Sequence, residues 1–195
     1  MACPVASKQP VEPAPIQQLV QDSELQSHSH LPASTTLALQ IQHNLQYQHA
    51  WTDVRVHSHS PVTNEPLVRP LLSGLPPKRL YVHPDEQIDL LKEAQRQRTA
   101  AKQAGGKSDT LDVKAQPERE WVLPARLVEK WTLHRLSDIF DAITTVPPES
   151  ATPNVEDSAA NPWRTTKRVV LATADTDSTV VFYIVHDGVV KPRQN

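Results

Sequence analysis

Apolar positions along this chain follow two rhythms: helical steps through its middle and near-continuous β-branched runs toward its end. In KRVVLATADTDSTVVFYIVHDGVV, Lys167 to Val190, the runs Arg168 to Thr173 and Thr179 to Val185 flank the polar tetrad Asp175-Thr176-Asp177-Ser178. Both runs are rich in residues that suit a pleated surface, which predicts a β-hairpin. Neither alternates cleanly, since Val169 to Leu171 and Val180 to Val185 are consecutive apolar residues, so both faces of the ribbon need cover. The chain's own helices supply one cover, and a second protein is the expected source of the other. Asp187-Gly188 is a further tight-turn signal, suited to positive φ, that would fold Val189 and Val190 back on the ribbon.

Upstream, Leu37, Ile41 and Leu45 recur at four-residue steps and predict a helix from a cap at Ser34 or Thr35 to about Ala50. His43, Tyr47 and Trp51 form a neighbouring stripe. Its two large rings are read as core packing in preference to a platform for RNA bases. Trp51 to His59 reads as a strand, Pro61 to Pro77 as a proline-punctuated connection with Ser73-Gly74 as a breaker, and Lys78 to His83 as a strand with Leu80 and Val82 inward. Pro84, Asp85 and Glu86 suit the first turn of a helix continued by Ile88, Leu91 and Ala94. The pattern then lapses into a basic stretch with Arg96, Arg98, Lys102 and Lys107, read as solvated surface ahead of phosphate contact. Glu120 to Leu123 predicts a short strand stopped by Pro124. Thr132 is the predicted N-cap of an amphipathic helix carrying Leu133, Leu136, Phe140 and Ile143, with Trp131 as its staple.

Composition narrows the classes. With 38% apolar residues in 195 positions, one domain is expected, spanning 34–195, with insertions at about 95–118 and 147–164 and a disordered tail over 1–33. Eighteen prolines against four glycines mark linkers between the periodic segments. A formal charge of −2 gives no global argument for a nucleic-acid binder. Cys3 stands alone, which excludes an intramolecular disulfide framework. No apolar run approaches the roughly 18 residues of a membrane span, and no secretory signal is expected.

Several of these strings carry a resemblance. STVVFYIVHDGVVKPRQN, LQYQHAWTDV, KRLYVHP and REWVLPARLVEKWTLHRLSDIFDAI together resemble the Sen-fifteen family, the small accessory subunit of the tRNA-splicing endonuclease, most of all its filamentous-fungal members. The resemblance covers most of Ser34 to Asn195. It implies an α/β (α+β) fold, a mixed sheet of four to six strands with two or three helices, like the nuclease-like C-terminal domain of these endonucleases. It also implies a non-catalytic structural role in a heterotetramer, paired with the catalytic subunit Sen-thirty-four and the other endonuclease subunits, and meeting precursor tRNA only through the complex. The expected subunit interface is Val181, Tyr183, Val185, His186, Asp187, Gly188 and Val189; a homodimer in isolation is left open. The resemblance also implies a place in the nucleus, or on the outer mitochondrial surface as in some fungi.

Chemistry-bearing residues give little support to an enzyme. Catalytic subunits of this fold are expected to use Tyr, His and Lys without a metal, as general base, general acid and charge stabiliser. Lys167 lies where the family's lysine would stand, at the entrance to the first hairpin strand, but the catalytic histidine string is missing. His57, His59 and His83 are the nearest substitutes, and Tyr81 and Tyr183 read as buried strand residues. An active nuclease built from Lys167 and a strand histidine, and a free-standing RNA-binding module, are therefore the alternatives. His28 with His30, and His57 with His59, lack further ligands at metal spacing, and His134 has no paired acid or base. No phosphate-loop, dinucleotide or zinc-protease motif is present, so no cofactor and no metal is expected.

Overall fold

The computed structural model describes residues 13–27, 32–103, 115–148 and 161–189. In chain order come α1 (Pro15–Ser27), α2 (Ala33–Tyr47), β1 (Thr52–His59), β2 (Pro66–Leu75), α3 (Pro84–Gln103), β3 (Glu120–Arg126), α4 (Leu133–Asp141), β4 (Arg168–Ala174) and β5 (Val180–His186). The strands make one mixed sheet in the order β1-β2-β3-β4-β5. Its neighbours are antiparallel except β3 and β4, which run parallel across the α4 crossover.

Each face of the sheet has its own helix. Leu37, Ile41 and Leu45 of α2 pack on Val54, Leu72, Val122, Val170 and Ala172. Ile139 and Phe140 of α4, followed by Ile143, pack on Leu71, Trp121, Leu123 and Val169. The consecutive apolar residues of β4 are thus explained: Val170 faces α2, while Val169 and Leu171 face α4. Thr132 caps α4 as expected, its side chain accepting from the Arg135 N–H at 3.3 Å. Trp131 and Leu136 both settle against the α4-side core.

Several expectations fail, mostly at prolines. The supposed connection Pro61 to Pro77 contains β2, whose Pro66 opens the strand and whose Pro70 falls in the stretch where pairing with β1 slips between Leu71 and Pro66. Those are the places where a strand tolerates a missing N–H. Gly74 does not break this strand. A Cβ there would come within 3.0 Å of the Trp51 ring and 3.1 Å of Val54, so a larger residue would push those side chains back by a few tenths of an ångström. β3 runs through Pro124 because its ladder with β2 ends at Leu72↔Val122. Residues 78–83, expected as a strand, are irregular, and Leu80 is exposed; Arg79 is held instead by side-chain ion pairs to Glu86 and Glu118.

Helices differ too. Four are described where two or three were expected, because α1 occupies part of the supposed tail and lies against α2. Pro15 opens it, and Gln17 accepts from the Ala14 N–H at 2.9 Å, half of a capping box. α2 begins after Pro32 with no side-chain cap, so neither Ser34 nor Thr35 serves. α3 continues past the expected end at Gln95. Trp51 is core, but Tyr47 is 75% exposed and its ring lies tilted against His43 at 4.6 Å. Leu133 faces water instead of joining Leu136 and Phe140 inside. His28, His30 and Lys107 lie outside the described residues.

Candidate subunit interface

β5 forms one margin of the sheet. It pairs with β4 without interruption from Arg168↔His186 to Ala174↔Val180, and among the described residues nothing pairs its other side. The connecting turn closes where the Asp175 N–H donates to the Thr179 carbonyl at 2.9 Å, with Ser178 at φ 68 and Asp177 accepting from the Thr179 N–H. At the far end the Asp187 N–H donates to the Lys167 carbonyl at 2.9 Å. With the register unbroken between these two bonds, odd-numbered residues of β5 bond inward. The N–H groups of Phe182 and Ile184 therefore face the open edge.

The side chains of β5 are half covered. Val180 and Phe182 pack on the α2 side and Val185 on the α4 side. Val181 and Tyr183, on the same face as Val185, are 42% and 53% exposed, and Ile184 on the other face is 39% exposed. Tyr183 was expected to be buried; its register partner Leu171 reaches the α4-side core only in part, and Tyr183 itself stays open to water. The opposite margin, β1, carries register shifts on both sides of Arg55 to His57 and displays Asp53, Arg55, His57 and His59. Bulges and charges are how proteins blunt an edge, and β5 has neither along its outer rim. Gly188 takes φ 95, but Val189 is 98% exposed and does not fold back on the ribbon; Val190 lies outside the described residues.

His186 sits where β5 meets a buried ion network. Its ring meets Tyr81 edge-on at 4.7 Å, and the Arg168 guanidinium lies 5.4 Å over the Tyr81 ring. Burial first, then the charges of Arg168 and Arg164, push the His186 imidazole below its ordinary pKa, so it stays neutral. Beneath it, Glu120 accepts from Arg164 at 3.1 Å and from Arg168 at 3.0 Å. Glu118 accepts from Arg168 at 2.8 Å, Arg164 at 3.2 Å, Asn161 at 2.8 Å and Arg79, and Arg79 reaches Glu86 at 3.0 Å. Burial alone would raise the Glu118 carboxyl, but the Asn161 hydrogen bond and the three guanidinium charges hold it below the usual carboxylate value. Three arginines and three glutamates thus lock the starts of β3, β4 and α3 together.

The Sen15 protein family model matches residues 40–195, from within α2 through all five strands. This chain belongs to the Sen15 family. It is also 44% identical over 177 residues, 89% of this chain and 70% of the relative, to a Neurospora crassa protein described as a probable tRNA-splicing endonuclease subunit, tsp-1.

In this Sen15 chain the residues considered for catalysis are scattered. The Lys167 ammonium donates to the Phe140 carbonyl at 2.7 Å, tying down the end of α4. His57 and His59 stand on β1, three strands from β4 and so about 14 Å away at ordinary strand spacing. His57 bonds Ser73 at 2.8 Å and packs edge-on to Trp121; burial, then Arg119 and Arg55, lower its pKa. His83 stacks on Trp163 at 5.5 Å, and His134 is exposed 3.9 Å from Asp138. Among the described residues no group of three or more His, Cys, Asp or Glu could hold a metal, and no helix is long and apolar enough to cross a membrane. A cavity of about 530 Å³ between α3 and residues 161–163 is lined by acids and bases alike, including Glu86, Glu93, Lys92 and Arg96. The candidate interface also takes in Ile184 and Phe182, whose N–H groups face the open edge. Their place in the even positions of an uninterrupted apolar run was the sequence signal for them.

Proposed function

We propose that this chain is a non-catalytic, structural subunit of the tRNA-splicing endonuclease, supporting recognition and cleavage of precursor-tRNA introns by docking β5 on the catalytic subunit Sen-thirty-four. The observation that carries it is the asymmetry of the sheet: β1 is bulged and charged, whereas β5 offers open N–H groups beside exposed Val181, Tyr183 and Ile184. A strand added there would satisfy backbone groups and bury apolar surface at roughly 25 cal/mol per Å². In isolation the same edge suits a second copy of the chain. The tethering of Lys167 to α4 supports a scaffolding role over an active nuclease. On the same reading the assembled enzyme works in the nucleus.

Co-expression with Sen-thirty-four, followed by size measurement and precursor-tRNA cleavage, tests this. A stable heterodimer that Tyr183→Asp disrupts is the expected result. Failure to associate would sink the docking role, and tight, steeply salt-dependent tRNA binding by the chain alone would favour a free-standing RNA-binding module.

A further inference from the structure

The loop between β3 and α4 displays aliphatic side chains yet is held by several side-chain and backbone bonds. Glu129 accepts from Arg69 at 2.9 Å and from Arg135 at 2.6 Å, and both guanidiniums lie over the Trp131 ring, at 5.1 and 4.6 Å. Arg135 also donates to the Lys130 carbonyl at 2.6 Å, and the Leu127 N–H donates to the Ala174 carbonyl at 2.9 Å. Burial would raise the Glu129 carboxyl; hydrogen bonds from Arg69 and Arg135 outweigh it and keep the group ionised. This frame holds Val128 79% exposed and Leu133 87% exposed, with Leu127 beside them also exposed.

The loop belongs to the same corner of the molecule as β5. Leu127 is bonded to Ala174, and Ala174 pairs with Val180. The loop leads into α4 on the face that Val181 and Tyr183 share. The uncovered area of Val181, Tyr183 and Ile184 is on the order of a third of the ~800 Å² that each side of a stable interface buries. A partner held by β5 alone would be weakly held. We infer that the protein subunit that adds to β5 also covers Val128 and Leu133, so that one footprint spans the strand edge and the β3–α4 loop. Exposed Arg126 and Lys130 flank Val128, which fits a partner with an apolar centre and an acidic rim. The inference rests on the docking role proposed above.

The test measures the affinity of the full chain for co-expressed Sen-thirty-four, comparing Val128→Asp/Leu133→Asp with Tyr183→Asp, and checks each variant by thermal denaturation. Because Val128 and Leu133 stand in water, the loop pair should unfold like the parent yet bind at least tenfold more weakly. Parental affinity in the loop pair alongside lost binding in Tyr183→Asp would overturn the shared footprint and leave the docking role standing. Parental affinity in both would overturn the docking role itself. Loss in the loop pair alone would also refute a footprint shared with β5. Should the aspartates unfold the chain, Val128→Ser/Leu133→Ser carries the same comparison.

Discussion

The Lys167 ammonium lies 2.7 Å from the Phe140 carbonyl oxygen, at the last turn of α4. A cation there meets the negative end of the helix and adds a second donor to a carbonyl that the Ile143 N–H reaches only at 3.4 Å. The lysine that a nuclease reading would recruit for phosphate charge is thus engaged in joining α4 to the start of β4. Lys167→Ala should cost about 1–2 kcal/mol of folding stability in urea denaturation. Single-turnover cleavage at both splice sites by a reconstituted complex should be unchanged. Loss of cleavage at one site with stability intact would mean that the lysine serves the reaction.

The edge geometry gives a sharper test than a charge. The Ile184 N–H faces outward, so proline at that position removes a donor from the open rim and none from the β4 ladder. Ile184→Pro should keep the hairpin and its cooperative unfolding while abolishing association with Sen-thirty-four in size-exclusion runs of the co-expressed pair. Association at parental strength would show that the partner does not pair with this edge.

The terminal ribbon was legible because β4 and β5 are adjacent in sequence and locally apolar, and the α4 cap because Thr132 and its staple act within one turn. β2 was not, because Pro66 and Pro70 read as breakers until the slipped pairing with β1 shows where their missing N–H groups fall. The strand assigned to residues 78–83 failed for a related reason. Its pattern fits a sheet, but Arg79 is bound by carboxylates 7 and 39 residues away, which no local rhythm announces. Glu120 and Arg168 are separated by 48 residues and gave no signal at all. The candidate site was half legible: continuous hydrophobicity announced that both faces need cover, but not that Val180, Phe182 and Val185 pack within the chain while Tyr183 stays exposed.

Glu120 is the keystone of the buried network, 1% exposed and shared by Arg164 and Arg168. Removing it leaves two guanidiniums desolvated with fewer partners, and breaking such a pair typically costs about 3–5 kcal/mol. Glu120→Ala should lower the urea midpoint accordingly and release the segment around Asn161 and Arg164, read as faster amide exchange there. An unfolding free energy within about 1 kcal/mol of the parent would show that the network contributes little. Because it underlies His186, this variant should also weaken partner binding more than its stability loss alone explains.

The two shifted histidines make stability depend on pH in a definite direction. His57 faces Arg119, Arg55, Ser73 and Trp121, and His186 faces Arg168, Arg164 and Tyr81; burial and those cations lower both below the ordinary 6.5. As pH falls through about 6.5 the unfolded chain takes up protons that the folded chain refuses. The unfolded state therefore gains, and stability that is fully present above that pH declines until the folded-state pKa values are passed. Urea midpoints of the parent should fall between pH 7.5 and 5.5. His57→Gln/His186→Gln, which keeps an amide near Ser73, should show a flatter profile over the same window. If the double variant loses as much stability as the parent, these imidazoles are not the groups that titrate, and the neutral state assigned to His186 beside the arginines is wrong.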